Sequence, residues 1–409
     1  MSEMPTYYDI QRILSEAGAK MVSTIRLETH ADSGNSVAAL RDDSALLEYG
    51  RPGTLAIVND QTRPTRTADV LRECGLTCDV LVATGAHRAP YDSELKRICG
   101  ALASRRRVRI HDARRSTCKF LGTTSRGTPV ELNDLLFSYE RLLIIGSVEP
   151  HFFAGFTGGR KAFLPGTAGY KTIEKNHALF FEPGATILNL EGNPVHEDML
   201  EAAFMVDTPT LAVNMVLDAA GGVLGVFTGS LTRSFTQAVD LATQYYTARI
   251  DELVDVVIAW ANPPMDIDLY QAQKAVYNAA RVLKPGGLLV LVAECRDGIG
   301  PPAYHRLLSE GPTPSDVIRR TKEDYHLGLH KAASLAEVLK KNRLCIVSKL
   351  DHDAIVRVGA YAWDPEAIDK KLRSTLERRM SIVLMPHASF TVPVSKDVTN
   401  HKRNHSKEL

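Results

Sequence analysis

The densest grouping of residues able to do chemistry in this 409-residue chain is the stretch EPHFFAGFTGGRKAFLPG, from Glu149 to Gly166. It holds His151, three closely spaced glycines (Gly155, Gly158, Gly159) and the cation pair Arg160-Lys161, and His177 follows sixteen residues after Lys161. Glycines let backbone N–H groups turn toward an anion. Histidine takes and gives protons near neutrality and also ligates metals. Lysine is an amine nucleophile. The stretch is not a Walker loop, because Arg160 separates Gly159 from Lys161 and Ala162 stands where Ser or Thr is required. On these residues alone, an anion cradle and a plain glycine turn with surface cations both stay open.

Three further segments carry chemistry. VATGAHRAP (Val82–Pro90) puts His87 after a Thr-Gly turn, where a turn or capping histidine is the alternative. NDQTRPT (Asn59–Thr65) supplies Asp60 and Arg63: an Asp there suits a helix N-cap, and an Arg is a natural fork for a carboxylate or phosphate. In DLYQAQKAV (Asp268–Val276), Tyr270 opens a helical pattern and Gln271 and Lys274, three apart, share one helix face.

The elements that must position these residues are legible as short apolar runs. Nine are predicted as strands: Thr54–Asp60, Asp79–Gly85, Arg107–Ala113, Arg141–Ser147, Leu211–Asp218, Asp255–Ala261, Gly286–Glu294, Arg343–Leu350 and Ser381–Ala388. They are rich in Val, Ile and Leu without clean alternation, as expected of strands buried on both faces of a parallel sheet. Helical periods lie between them. The clearest is an apolar stripe of Leu269, Ala272, Val276, Ala279, Ala280 and Leu283, with Lys284-Pro285-Gly286-Gly287 predicted to stop it. The expected class is α/β with mainly parallel sheets in two domains. The first is expected to span residues 1–250, with 380–409 returning to it, and the second 251–379. In such sheets polar residues just past strand ends face ligand crevices, and Asp60, His87, Asp112 and His151 all fall there.

Composition narrows the function. Forty-nine Lys+Arg against 48 Asp+Glu leave a net charge of +1, so no strong field draws the chain to nucleic acid or an anionic membrane. No apolar stretch is long enough to span a bilayer, and the opening MSEMPTYYDIQR lacks an apolar signal core. A cytoplasmic location is expected. The six cysteines are scattered and read as small buried hydrophobes. The basic stretches Ser104–Arg109 and Asn400–Leu409 read as a solvated helix end and a loose tail.

Taken together, DQTR, TGAHR, EPHFFAGFTGGRKAFLPG with its downstream Asn-His, and DLYQAQK resemble, in order and spacing, the nickel-pincer-nucleotide-dependent lactate racemase family. The resemblance runs from about Asp60 to Lys274, with echoes in AECRDGIG (Ala293–Gly300) and VLMPHASFTVPV (Val383–Val394). It implies two α/β domains with the active site in the cleft between them. It implies a pyridinium mononucleotide whose sulfur, carbon and sulfur atoms hold nickel, attached through a thioamide at Lys161, with His177 as the protein ligand to the metal. His87 and His151 become the acid/base pair. Arg63, Gln271 and Lys274, with Tyr270 and Asp60 beside them, bind the substrate carboxylate, and Phe153 lines the pocket for the group on C2. Gly155, Gly158, Gly159 and Arg160 are assigned to the nucleotide phosphate by their chemistry. Implied partners are a small 2-hydroxy acid, lactate or larger, and the enzymes that make the cofactor. Trp260 and Asn262, in a segment that departs from the family pattern, are expected to shape one wall of the cleft.

The residue types suit that reaction. Hydride movement from C2 avoids a dianion on an ionised 2-hydroxy acid, and two imidazoles are needed because the hydroxyl lies on opposite sides in the two enantiomers. Rival readings are a Rossmann methyltransferase, suggested by ARVLKPGGLLVLV (Ala280–Val292) but without a glycine-rich first-strand motif, a cofactor-free two-base racemase, and a non-catalytic carrier of the cofactor or a small acid.

Overall fold

A computed structural model describes residues 3–19, 21–25, 27, 36–104, 107–375 and 380–395. Arg105 and Arg106 of the predicted basic helix end and the whole Asn400–Leu409 tail lie outside the described residues. The chain divides into two compact units, Thr29–Tyr245 and a second made of Met1–Glu28 with Tyr246–Leu409.

The unit Thr29–Tyr245 is built on a six-stranded sheet in the order Val223–Gly229, Thr210–Leu217, Arg141–Ser147, Thr54–Asn59, Asp79–Ala83, Val108–Ile110. Every pairing is parallel except that between the first two. The apolar runs are unbroken because both faces are covered: Leu55, Ala56, Ile57, Leu81, Val82, Leu142 and Ile145 are fully buried. On one face Ala56, Val58, Val80, Val82, Leu143, Ile145 and Met215 share a core with Val70, Leu71 and Ile98 of the covering helices. Each such Val, Ile or Leu contributes on the order of 1.5–3 kcal/mol relative to exposure. The consequence for function is positional. The neighbouring central strands Arg141–Ser147, Thr54–Asn59 and Asp79–Ala83 run parallel, so the loops carrying Glu149 and His151, Asp60 and Arg63, and His87 leave the sheet at one carboxyl edge.

The other unit has its own six-stranded, all-parallel sheet, in the order Met21–Thr24, Ser381–Met385, Val254–Trp260, Leu283–Val292, Arg343–Val347, Tyr361–Trp363. The strand at Ser381 therefore does not return to the first unit. It lies between Met21–Thr24 and Val254–Trp260, because Ile382, Val383, Leu384 and Met385 are all buried and need cover on both edges and faces. Val392–Ser395 likewise pairs with Thr247–Ile250 in the second unit. The segment that crosses over is the N-terminal one. Its helix Tyr7–Glu16, closed by a Thr6/Asp9 capping box, packs Ile10, Ile13 and Leu14 against Val256, Ile258 and Trp260.

The helix Leu269–Ala280 forms as its stripe requires, burying Leu269, Ala272, Val276 and Ala279, and starts at Asp268, whose carboxylate accepts the Gln271 N–H at 2.6 Å. Lys284-Pro285-Gly286-Gly287 is not what stops the helix, which already ends at Ala280, ahead of Leu283. It forms the first part of the strand Leu283–Val292, where Leu283 pairs with Val254 before a register shift. No helix among the described residues is long and apolar enough to cross a membrane.

Candidate active site

His87 and Asp60 form the best-defined pair. Nδ1 of His87 lies 2.7 Å from Oδ2 of Asp60, while Oδ1 of Asp60 accepts from Thr62 N at 3.1 Å and Thr62 Oγ1 at 2.6 Å. Asp60 is only 4% exposed. Burial pushes its carboxyl up, but the His87 hydrogen bond and charge, the Thr62 hydroxyl and the Arg63 charge outweigh burial and hold it below the usual value. A carboxylate only accepts, so Nδ1 of His87 carries the proton and Nε2 presents its lone pair. Both oxygens of Asp60 are thus committed within the protein. Asp60, expected beside the substrate carboxylate, is instead found 4% exposed and hydrogen-bonded to His87 and Thr62. Arg63, expected as a carboxylate fork, is ion-paired through Nη1 with Glu149. Sequence reading missed Glu149, although it stands two residues before His151, because the pair joins residues 86 positions apart.

His151 and His177 meet around one ring. Phe153 lies edge-on to His151, with centroids 4.6 Å apart, and edge-on to His177 at 5.3 Å. Phe152 stacks on His151 at 5.3 Å, and Phe180 closes the cluster. Phe153 is 2% exposed, so its face is spent on packing rather than offered to a ligand, and the expected pocket-lining role passes to a spacer role between two imidazoles. Nδ1 of His151 accepts the Ala154 N–H at 3.3 Å. His177, 9% exposed, sits in the last turn of the helix Tyr170–Ala178. Behind it, Asn176 donates to the fully buried carboxylate of Asp198 at 2.8 Å, which also accepts from Thr124 at 2.5 Å, fixing the rotation of that helix.

The Gly-Gly-Arg-Lys turn differs from expectation. Arg160 is 1% exposed, and its Nη2 donates to the carbonyls of Ala154 at 2.8 Å and Phe156 at 3.0 Å, with Nη1 3.4 Å from that of Gly158. Its guanidinium lies 4.7 Å from the Phe235 ring, which on centroids 6.1 Å apart also stacks with His196. Arg160 is the buried pin of its own loop, not a phosphate contact. The glycines serve the same packing. A Cβ on Gly155 would run into the Asn189 carbonyl, and Gly159 N already donates to Asn214 Oδ1 at 3.0 Å. Lys161, the next residue, is half-buried in the short turn Gly159–Ala162.

Backbone bonds lace these parts together. Gly85 N donates to Gly166 O at 2.9 Å and Gly166 N to Lys161 O at 3.0 Å, tying the His87 turn to the Lys161 turn. Ala113 N donates to Gly85 O at 3.3 Å and Tyr170 N to Ala113 O at 2.9 Å, tying the same turn to the His177 helix. Gly85 sits at φ 55°, and a Cβ there would lie 3.0 Å from Pro165 O, so the crossing needs glycine.

In the other unit, Tyr270, Gln271 and Lys274 stand half-buried on the first turns of Leu269–Ala280. Tyr270 packs edge-on to Tyr304 at 5.1 Å, and burial pushes its hydroxyl up to about 12. Trp260 is buried within its own unit against Tyr7 and donates Nε1–H to Pro5 O at 3.0 Å. Asn262 donates to Pro386 O at 2.6 Å.

Among the described residues no group of three or more His, Cys, Asp or Glu could hold a metal ion. One buried imidazole, His177, and one half-buried amine, Lys161, stand on backbone-laced turns, a donor set too small to hold a metal alone and suited to one that arrives with most of its ligands on an organic carrier.

Two α/β units, each on a mainly parallel sheet, with His87 and His151 both on strand-end loops of one, define the class, and comparison with known proteins specifies it. Residues 36–187 match the lactate racemase N-terminal domain and residues 251–386 the lactate racemase C-terminal domain. A lactate racemase of Thermoanaerobacterium thermosaccharolyticum is 30% identical over 319 residues, 74% of this chain and 75% of that protein. One of Lactiplantibacillus plantarum is 31% identical over 287 residues, 66% of this chain and 67% of that protein. The solved lactate racemase apoprotein of T. thermosaccharolyticum superposes with a TM-score of 0.81 at 24% identity, covering 93% of this chain and 96% of that one. A Thermotoga maritima protein superposes with a TM-score of 0.69 at 19% identity, covering 90% and 100%. The chain belongs to the lactate racemase family, and it is an isomerase of the racemase type.

Proposed function

We propose that this chain interconverts the enantiomers of a 2-hydroxy acid, lactate or a larger homologue, by moving the C2 hydrogen with its electron pair. The observation that carries the reading is the Phe153-centred contact that sets His151 and His177 on one ring, 4.6 and 5.3 Å from it. It supports the reading because the imidazole we assign to acid/base work and the one we assign to metal share that ring as a neighbour.

Lys161 and His177 would hold a nickel-pincer nucleotide, the lysine by a thioamide and the histidine by a nitrogen–nickel bond. When bound, that group supplies an acceptor that takes the C2 hydrogen as a hydride and gives it back. The protein's own residues do the rest. His87 removes the hydroxyl proton at Nε2 from one enantiomer, and Asp60 at 2.7 Å stabilises the imidazolium that forms. His151 serves the other enantiomer. Arg63, held through Nη1 by Glu149, offers its other nitrogens to a carboxylate. Gln271 and Lys274 present an amide and an ammonium on one helix face for carboxylate oxygen.

The test is to produce the protein together with the cofactor-synthesis enzymes, weigh it intact, and screen single enantiomers of 2-hydroxy acids by chiral chromatography. A mass adduct lost in Lys161→Ala, with racemisation lost alongside it, supports the reading. Full racemase activity in unmodified protein overturns the cofactor assignment.

A further inference from the structure

Lys331 belongs to no motif in the sequence, yet it is 7% exposed and sits in the first turn of the helix His330–Lys341. Burying an ammonium is costly, and a cation at a helix N-terminus opposes the helix dipole. Its contacts account for the expense. Nζ donates to the Tyr270 carbonyl at 2.6 Å and lies 3.7 Å from the centroid of the Tyr270 ring. The Lys331 carbonyl accepts from Gln273 Nε2 at 2.6 Å and Tyr277 O–H at 3.3 Å, both on the same helix as Tyr270. On its other side, Tyr270 is held by Tyr270 N donating to Ile299 O and Leu269 N to Gly298 O, each at 3.1 Å. Gly300, at φ 125°, lies so close that a Cβ there would be 2.5 Å from that of Tyr270.

Tyr270 is therefore clamped between the 298–300 loop and Lys331. Gln271 is the next residue, and α-helical geometry gives the Tyr270 carbonyl to the N–H of Lys274. The ammonium thus bonds the peptide that fixes the direction of both carboxylate-binding candidates. We propose that Lys331 is a positioning residue that locks the first turn of Leu269–Ala280 so that Gln271 and Lys274 point at the substrate carboxylate. The proposal rests on the reading of that helix as a carboxylate grip.

The experiment uses cofactor-loaded protein with a 2-hydroxy acid that the wild type racemises, and measures KM, kcat and thermal midpoint for Lys331→Met, Lys331→Gln and Lys274→Met. Lys331→Met keeps the length of the side chain and removes the ammonium. KM is expected to rise roughly tenfold with kcat within about threefold. Lys331→Gln retains a donor for the carbonyl and is expected to show a smaller rise. It also serves if the Met variant does not fold. A folded Lys331 variant with a lowered midpoint and wild-type KM, beside a raised KM in Lys274→Met, overturns the positioning role and leaves Lys331 a packing residue. Wild-type KM in Lys274→Met overturns the carboxylate-grip reading itself, and the proposal with it.

Discussion

His87 Nδ1 and Asp60 Oδ2 lie 2.7 Å apart, joining the ends of two neighbouring parallel strands through a nearly solvent-free carboxylate. An amide in place of that carboxylate could donate to Nδ1 and so favour the tautomer with a protonated Nε2. Asp60→Asn is therefore expected to lower kcat by about 100-fold or more, with KM and nickel content nearly unchanged. Because the Asp60 carboxyl is held below its usual value, it stays ionised wherever an ordinary aspartate does, and acid losses of activity above the ordinary carboxylate range do not come from it. Wild-type kcat in Asp60→Asn would contradict the dyad.

The Arg63–Glu149 pair predicts a division between binding and turnover. Glu149→Gln leaves the fork loosely aimed, so KM rises by about three- to tenfold with kcat within about threefold. Arg63→Met loses a charge-assisted contact, typically about 1.5–3 kcal/mol, and KM rises by about 10- to 100-fold. Steady-state kinetics on cofactor-loaded protein checks both. A lowered KM in Glu149→Gln would show that Glu149 competes with the substrate instead of aiming the arginine.

Metal content separates the histidines. After loading, His177→Ala is expected to lose its nickel, and His87→Ala to keep nickel and lose turnover. Elemental analysis of the purified proteins decides it. Equal nickel in wild type and both variants would remove His177 from the metal.

His196 gives a stability prediction. Burial first, then the Arg160 charge, pushes its ring down to about 3. The folded chain keeps it neutral, whereas the unfolded chain takes up a proton below the usual value of about 6.5. Its contribution is whole above about pH 6.5 and is lost progressively as the pH falls toward 3. His111, also lowered by burial, acts in the same sense. His196→Phe, which can keep the stack on Phe235, is expected to lose less urea midpoint than wild type between about pH 7.5 and pH 5. An unchanged pH slope would contradict the buried neutral state of His196.

The central strands of both sheets were legible because burial on two faces leaves unbroken apolar runs. Most strands outside that rule were not, the exposed edge Val108–Ile110 excepted. Tyr361–Trp363 and Met21–Thr24 are short edges, and Cys118–Thr123 with Pro129–Asn133 forms a partly exposed hairpin. The loops that carry His87 and His151 could be placed past strand ends from sequence for the same reason. What the sequence did not reveal is which loop residues turn inward. Arg160 and Phe153 look like ligand contacts in EPHFFAGFTGGRK. Their burial is decided by Phe235, His177 and Phe180, and that of Gly155 by the chain at Asn189. Glu149 and Lys331 act on partners 86 and 61 positions away and leave no local pattern.

How the C2 hydrogen travels is measured most directly by racemisation of one enantiomer by cofactor-loaded protein in deuterated water, with the product examined at C2 by mass spectrometry and NMR. Transfer with the electron pair predicts that C2 keeps its original hydrogen through racemisation. Deuterium at C2 in step with racemisation would mean proton abstraction by two bases, and would contradict it.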